Sequence, residues 1–258
     1  MDVSEMKQSL VMSHRILSKT GSMGDVTGHV MVRGPGEDEM LVRCRSRSDM
    51  GPALVEETAL FKCNLEGEPV EDTGEYTIPP ERFIASEMFK ARPEVNAVVH
   101  GHPPAQILCG ITGVEIRPIL GCGNWGGFLL ALDGVPVFPR SILVASPHVG
   151  RAMVDVLGLK NAVLLKGHGN VVVGRTIEEA TVRAIQLENM AKVCWDVAAA
   201  GMRADDIPGD DIREFLTPTQ EAASQGDLTA SATQWLWWHY ERAVKENVPL
   251  YVEMGVAH

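Results

Sequence analysis

Segment 96–104 restricts most strongly how this chain can fold. Its first part, Asn-Ala-Val-Val-His-Gly-His, is apolar and β-branched, which favours a buried strand. Pro103 and Pro104 follow, and because proline cannot donate to a sheet ladder, the strand is expected to end there. Side chains alternate between the two faces of a strand, so His100 and His102 project to the same side. Two imidazoles on one rigid strand suit a metal site that takes a further ligand from elsewhere.

Two other residues are candidates for completing such a site. His168 lies between two glycines and between two predicted strands, where glycine permits unusual backbone angles and close approach. Glu81 lies in the first turn of a predicted helix, where a carboxylate can act as a ligand or general base. Each residue also has a purely structural interpretation. The histidines can be surface or hydrogen-bonded core residues, and Glu81 can simply complement the helix dipole.

Periodicity predicts a mixed order of strands and helices along the chain. The predicted strands are 28–33, 40–45, 56–64, 69–71, 96–102, 161–166 and 170–173. The predicted helices are 3–19, 81–90, 146–158, 176–201 and 229–247, with residues 205–226 expected to form a polar loop. No linker-like composition divides the chain, so we expect one α/β domain over residues 1–258, with an aromatic helical tail from about residue 205.

Composition excludes several classes of partner. With 34 acidic against 23 basic side chains, the formal charge is -11, which argues against binding nucleic acid or an anionic membrane. The apolar runs are much shorter than the roughly 20 residues of a transmembrane helix. The N-terminal segment mixes charges into a helical pattern, unlike a signal peptide, so a cytoplasmic location is expected. The five cysteines are scattered, as is typical of reduced thiols.

Two further groups of residues have both a functional and a structural interpretation. Arg43, Arg45 and Arg47 alternate along a predicted strand and either clamp an anionic substrate or form a solvated edge. The aromatic segment 235–240 contains three tryptophans and Tyr240. On a helix these rings either complete the core of their own chain or present Tyr240 or His239 to a neighbouring subunit.

Taken together, four stretches of the sequence resemble the class II aldolase/adducin family, whose best-known members are metal-dependent fuculose- and ribulose-phosphate enzymes. The matching stretches are 27–33, 80–83, 92–103 and 164–169, followed by the chain as far as Glu188. The resemblance extends over most of residues 8–200. It implies a central, mainly antiparallel sheet with helices on both faces.

The resemblance also implies roles for individual residues. His100, His102 and His168 become ligands of one divalent transition metal per chain, and Glu81 becomes the acid/base beside it. Three imidazoles and a carboxylate suit Zn, Mn, Co and Fe alike. Similar family members are commonly symmetric homotetramers in which a C-terminal tyrosine reaches a neighbouring site. Tyr240 is the matching candidate here for a catalytic residue.

Departures from the sugar-phosphate pattern bear on the substrate. Where those members hold phosphate with asparagine, a serine-glycine pair and two serines, this chain has His29, the Arg-Ser alternation around Arg45 and Ser46, and Pro79-Pro80. These replacements indicate that the anion is a carboxylate rather than a phosphate, or that the substrate is flat and compact. His29, Arg45 and Ser46 are expected to bind this small anionic substrate. Some family members decarboxylate hydroxylated aromatic or pyridine dicarboxylates, including 3,4-dihydroxyphthalate, and this chain is similar to that branch.

The sequence leaves four functional hypotheses. The first is decarboxylation of a hydroxylated aromatic or heteroaromatic acid, and the second is aldol cleavage of a sugar phosphate or related hydroxy-carbonyl compound. Epimerase or dehydratase chemistry on the same metal is the third. The fourth is an adducin-like scaffold without catalysis. Retention of three histidines and a glutamate favours an enzyme, since a scaffold has no physical need for them.

Overall fold

A computed structural model describes residues 2–36, 38–47, 51–121, 124–223 and 228–250. The helices of these residues are α1 Val3–Lys19, α2 Phe83–Ala91, α3 Pro104–Thr112, α4 Asn124–Asp133, α5 Pro147–Leu157, α6 Ile177–Ala199, α7 Gly209–Ala223 and α8 Leu228–Lys245. The strands are β1 His29–Arg33, β2 Glu39–Arg43, β3 Leu60–Asn64, β4 Ala97–Gly101, β5 Val137–Phe138, β6 Ala162–Leu165 and β7 Gly169–Gly174.

The strands form one seven-stranded sheet in the order β3-β2-β1-β4-β7-β6-β5. All neighbouring pairs are antiparallel except β5 and β6, which are parallel. The expected mainly antiparallel sheet is therefore confirmed. Strand β4 lies in the middle, with His100 opposite His29 of β1 on one side and opposite Val171 of β7 on the other.

Helices cover both faces of the sheet. On one face α1, α3, α4, α6 and α8 pack in a core that includes Val99, while on the other α2 and α5 pack in a core that includes Val98. Because side chains alternate along β4, His100 faces the same side as Val98. The histidine therefore lies on the side of the sheet covered by α2. None of the helices in the described ranges has the length and apolar character that a bilayer crossing requires.

Two arginines tie helix ends to the sheet. The Arg33 guanidinium donates to the backbone carbonyls of Phe89 and Arg92 at the end of α2. Arg92 in turn donates to the carbonyls of Gly158 and Lys160 after α5. The last carbonyls of a helix lack intrahelical partners, so these guanidinium groups satisfy them. The Arg-Pro-x-x-Asn stretch before β4 is thus a structural feature of the fold.

The prediction of a loop over residues 205–226 is wrong, because α7 occupies Gly209–Ala223. Its polar composition and Pro218 argue against a helix interior. Tertiary packing outweighs that preference, since the Phe215 ring lies 4.3 Å from the ring of Trp125 and 5.0 Å from that of Phe128, between centroids. The expected strand 69–71 is reduced to a single bridge between Cys63 and Pro69.

Candidate active site

The end of β4 brings two histidines together. His100 is fully buried, and His102 is partly buried just beyond the strand end. Their Nε2 atoms lie 3.3 Å apart. His168, in the turn between β6 and β7, joins them with its ring centroid 4.9 Å from that of His100 and 5.0 Å from that of His102. His168 therefore lies beside His100 and His102, where the sequence pattern suggested a third ligand.

The Glu81 side chain approaches the three histidines from a different part of the chain. It lies in a 3₁₀ turn, Pro80–Arg82, immediately before α2. Its Oε2 is 3.5 Å from Nε2 of His100, and its Oε1 is 3.4 Å from Nε2 of His168. One ligand atom from each of the four side chains falls within 4.8 Å of every other. Three imidazoles and one carboxylate therefore converge on a single small volume.

Hydrogen bonds fix which imidazole nitrogens face that volume. Nδ1 of His100 donates to the Asn170 carbonyl at 2.7 Å. Nδ1 of His102 lies 3.0 Å from Oγ1 of Thr27, whose own proton goes to the Gly24 carbonyl at 2.9 Å. The Thr27 oxygen must therefore accept from His102. In the neutral form of either ring, Nε2 then carries the lone pair.

Two lone pairs that face each other cannot form a hydrogen bond. A cation between the convergent Nε2 atoms would satisfy both lone pairs, and the second nitrogen of each ring is anchored as is usual for metal-binding histidines. Together with the Glu81 carboxylate, this donor set fits a divalent transition metal. The same donor set suits Zn, Mn, Co and Fe alike.

The electrostatics favour the protonation states that a metal requires. Burial, and then the charges of His100 and His168, lower the pKa of His102 to about 4. Burial and the charge of His100 also lower the pKa of His168. Burial alone would raise the pKa of the Glu81 carboxyl, but a hydrogen bond from His100 in its protonated form, and the charges that the three histidines carry when protonated, lower it to about 2. Neutral imidazoles and an ionised carboxylate are the metal-binding forms at neutral pH.

Glycines on either side of His168 permit this arrangement. Gly167 has φ of +66°, in the left-handed region that side chains other than glycine rarely adopt. A Cβ on Gly169 would lie 2.8 Å from Cδ2 of His102. The turn therefore needs glycine both for its backbone angle and for the close approach of the two histidine-bearing segments.

His29 and Arg45 lie beside the four converging residues. His29, opposite His100 on β1, is 1% exposed, and burial, followed by the charges of His100 and Arg45, lowers its pKa well below the usual value. Its Nε2 lies 3.5 Å from Nη2 of Arg45. Arg45 and Ser46 are both partly buried. His29 and Arg45, two of the residues expected to bind substrate, therefore lie next to the converging histidines.

The three alternating arginines do not act as one group. Strand β2 ends at Arg43, whose buried guanidinium donates to the carbonyls of Val26 and Gly28. Neither the clamp nor the solvated edge describes Arg43, because it supports the loop that carries Thr27 and precedes His29. Arg47 is exposed. Arg45 contacts His29 beside the converging residues.

The aromatic helix α8 divides its rings between the core and the surface. Trp237 and Tyr240 are 6% and 8% exposed and belong to the core of their own chain, whereas Trp235 and Trp238 are 64% and 54% exposed. The Tyr240 ring lies 5.4 Å from that of His239, between centroids. Its catalytic role stays a prediction, and its burial favours a structural one.

Sequence reasoning missed two residues that organise the site, Thr27 and Asn170. Thr27 fixes His102 and Asn170 fixes His100. Thr27 stands at the start of a stretch that matches the family, and Asn170 is a polar residue in an otherwise apolar strand pattern. A polar residue inside a buried strand needs a hydrogen-bond partner, which was the available signal.

Comparisons with known proteins extend these findings. A family model described as Class II Aldolase and Adducin N-terminal domain matches residues 8–195. A 3,4-dihydroxyphthalate decarboxylase from Arthrobacter keyseri is 34% identical over 212 residues, which cover 81% of this chain and 85% of that protein. Another 3,4-dihydroxyphthalate decarboxylase, from Terrabacter sp. (strain DBF63), is 31% identical over 231 residues, covering 89% of this chain and 92% of the relative.

A solved structure shares the fold at lower identity. The aldolase II superfamily protein from Pseudomonas syringae matches with a TM-score of 0.76 and 18% identity, covering 96% of this chain and 94% of that one. The span matched by the family model contains Glu81 and all three converging histidines. On the extent of that match and of the identity to the decarboxylases, this chain belongs to the class II aldolase and adducin family.

Proposed function

We propose that this chain is a metal-dependent carboxy-lyase that decarboxylates a hydroxylated aromatic or heteroaromatic acid such as 3,4-dihydroxyphthalate. The observation that carries the proposal is the convergence of Glu81 with His100, His102 and His168 in a chain 34% identical to a protein named for that reaction. The three histidines are the proposed metal ligands, and Glu81 is the proposed acid/base.

Decarboxylation requires that electrons be accommodated when a carbon-carbon bond breaks. His100, His102 and His168 would hold the divalent cation, and its positive charge would stabilise electrons next to a substrate oxygen. Glu81, ionised in the free site, takes the proton of a phenolic hydroxyl and returns it to the ring carbon that bears the carboxylate. The bond from that carbon to the carboxylate then breaks, CO2 leaves, and the electron pair restores the aromatic ring. A proton from water restores the phenol.

Substrate anchoring is assigned to His29, Arg45 and Ser46. A guanidinium binds a carboxylate through two parallel hydrogen bonds, and Arg45 lies next to His29 at the edge of the metal-ligand group. The Ser46 hydroxyl adds a donor beside Arg45 in the chain. This set suits a planar carboxylate, which supports decarboxylation over cleavage of a phosphosugar.

Aldol cleavage is the second candidate because it uses the same machinery. A vicinal hydroxyl and carbonyl would replace the phenolic oxygens, and Glu81 would handle the proton of the enediolate. The small phosphate contacts of sugar-phosphate members are absent from this sequence, where His29 and the residues around Arg45 replace them. A non-catalytic scaffold is disfavoured by the four converging side chains.

A substrate panel distinguishes the two reactions. We expect protein loaded in turn with Zn, Mn, Co or Fe to release CO2 from 3,4-dihydroxyphthalate or dihydroxybenzoate-type acids, and to release no aldehyde from fuculose 1-phosphate. Efficient cleavage of fuculose phosphate, together with no reaction of the aromatic acids, would contradict the proposal.

Replacing Arg45 by Met should raise the KM for the aromatic acid about 10- to 100-fold, because a hydrogen bond to a charged group contributes about 1.5–3 kcal/mol.

We further propose that the chain forms a homotetramer in which α8 lies at a subunit contact. Two exposed tryptophans, Trp235 and Trp238, support this, because aromatic residues are enriched at interfaces. A solution mass of four chains is expected.

If Tyr240 serves a neighbouring site, mixing Tyr240→Phe chains with His100→Ala chains restores activity. A fully active Tyr240→Phe variant would deny the tyrosine that role, and an active monomer would end the interface proposal. A cytoplasmic location stays a prediction from the sequence.

A further inference from the structure

A buried chain of hydrogen bonds connects helix α6 to the region of the metal ligands. The Glu188 carboxylate in α6 accepts from the backbone N–H groups of Ala105 at 3.0 Å and Gln106 at 3.2 Å. These two residues belong to the first turn of α3. Oε1 of Gln106 accepts from Nδ2 of Asn170 at 2.8 Å. The carboxylate on α6 is thereby linked to β7 through a single side chain.

Asn170 contacts β4 at two adjacent residues. Its Oδ1 accepts from the N–H of Gly101 at 3.0 Å, and its backbone carbonyl accepts from Nδ1 of His100 at 2.7 Å. Gly101 separates His100 from His102 in the chain. One asparagine thus fixes the ring of the first histidine and the backbone between the two.

Glu188 fixes the backbone that follows His102. His102 is followed by Pro103 and Pro104, whose rings restrict the backbone, and then by the first turn of α3. Because Glu188 holds that turn, it also limits where the chain can leave His102. Gln106 and Asn170 are 0% exposed and Glu188 is 5% exposed. At such sites water does not readily replace a lost partner.

We propose that Glu188, Gln106 and Asn170, here termed the α6 relay, are positioning residues that set the metal affinity of the site. The relay holds the Nε2 atoms of His100 and His102 at the separation that a shared cation requires. None of its three members is among the proposed ligands, so its effect is exerted through the two histidines. This inference depends on the metal site described under the proposed function.

Two conservative variants test the relay. Gln106→Met keeps the side-chain length and removes the acceptor for Asn170, and Glu188→Gln turns an amide donor toward backbone N–H groups. Loss of an outer hydrogen-bond partner typically weakens metal binding about 10- to 100-fold, and we expect a loss of that size in each variant. The visible spectrum of bound Co(II), which reports ligand geometry, should change. The double variant should bind metal only slightly less tightly than the single variant with the lower affinity, because both changes interrupt one relay.

Thr181→Val is the matched control. Thr181 is also buried in α6, where its hydroxyl lies 2.6 Å from that of Ser13, outside the relay. The control should lower the melting temperature of the metal-free protein but keep the wild-type Co(II) affinity and spectrum. Equal weakening by the control, or wild-type affinity and spectrum in both relay variants, would overturn the relay alone. Failure of the wild-type protein to bind Co(II) or Zn would overturn both the relay and the metal site. If one relay variant does not fold, the Co(II) affinity and spectrum of the other variant alone decide the test.

Discussion

Replacing His100, His102 or His168 by alanine is expected to remove the bound metal and abolish turnover. The three imidazoles provide most of the donor set, and one ligand atom of each lies within 4.8 Å of the others. Loss of a direct ligand should weaken binding by more than the roughly 10- to 100-fold typical of outer partners. The metal content measured by elemental analysis after dialysis should fall from one ion per chain to a small fraction of that value.

His148→Ala is the control for these three variants. His148 is an exposed histidine of α5, so its removal should leave metal content and activity unchanged. Retention of full metal content and activity by any one of the three ligand variants would remove that histidine from the site. Metal loss in the control would instead point to nonspecific binding.

Glu81→Gln should lower turnover by about 100-fold or more while the metal is largely retained. Glutamine has nearly the same shape but cannot carry the proton, and general acid/base catalysis typically contributes about 10²- to 10⁴-fold. The three histidines remain to hold the cation. Single-turnover rates measured on protein of verified metal content separate a chemical defect from metal loss.

Glu87→Gln provides the comparison for the loss of a buried carboxylate. Glu87 lies on α2, is 3% exposed and pairs with Lys90 and Arg151. We expect this change to reduce stability and to leave turnover per bound metal near the wild-type value. Wild-type turnover in Glu81→Gln would exclude Glu81 from the mechanism, and an equal fall in both variants would make the effect structural.

The sequence predicted the parts of the site that depend on local geometry. Alternation along β4 was enough to place His100 and His102 on one side, and the glycines around His168 indicated a tight turn. The approach of Glu81 was supplied only by the family resemblance. It depends on α2 packing across the sheet, and periodicity within one segment carries no information on that distance.

Other features escaped because tertiary contacts outweigh local preference. The two prolines at 103 and 104 predict the end of a strand, whereas Pro104 also begins α3. Helix α4 contains Gly126 and Gly127, which are poor helix formers. Their lack of side chains has a packing reason, since a Cβ on Gly127 would lie 2.8 Å from the backbone oxygen of Gln186. Such close approach to α6 is visible only in three dimensions.

The central position of β4 also determines when the site can form during folding. Its neighbours in the sheet are β1, which precedes it in the chain, and β7, which includes Asn170 and follows it at a long sequence separation. Pairing of strands that are distant in sequence is slow, because the entropy of closing the loop is lost before the contacts form. A growing chain therefore has no complete donor set until the segment carrying His168 has been synthesised and β7 has paired with β4. A metal can therefore be held by all three histidines together only after the sheet has closed.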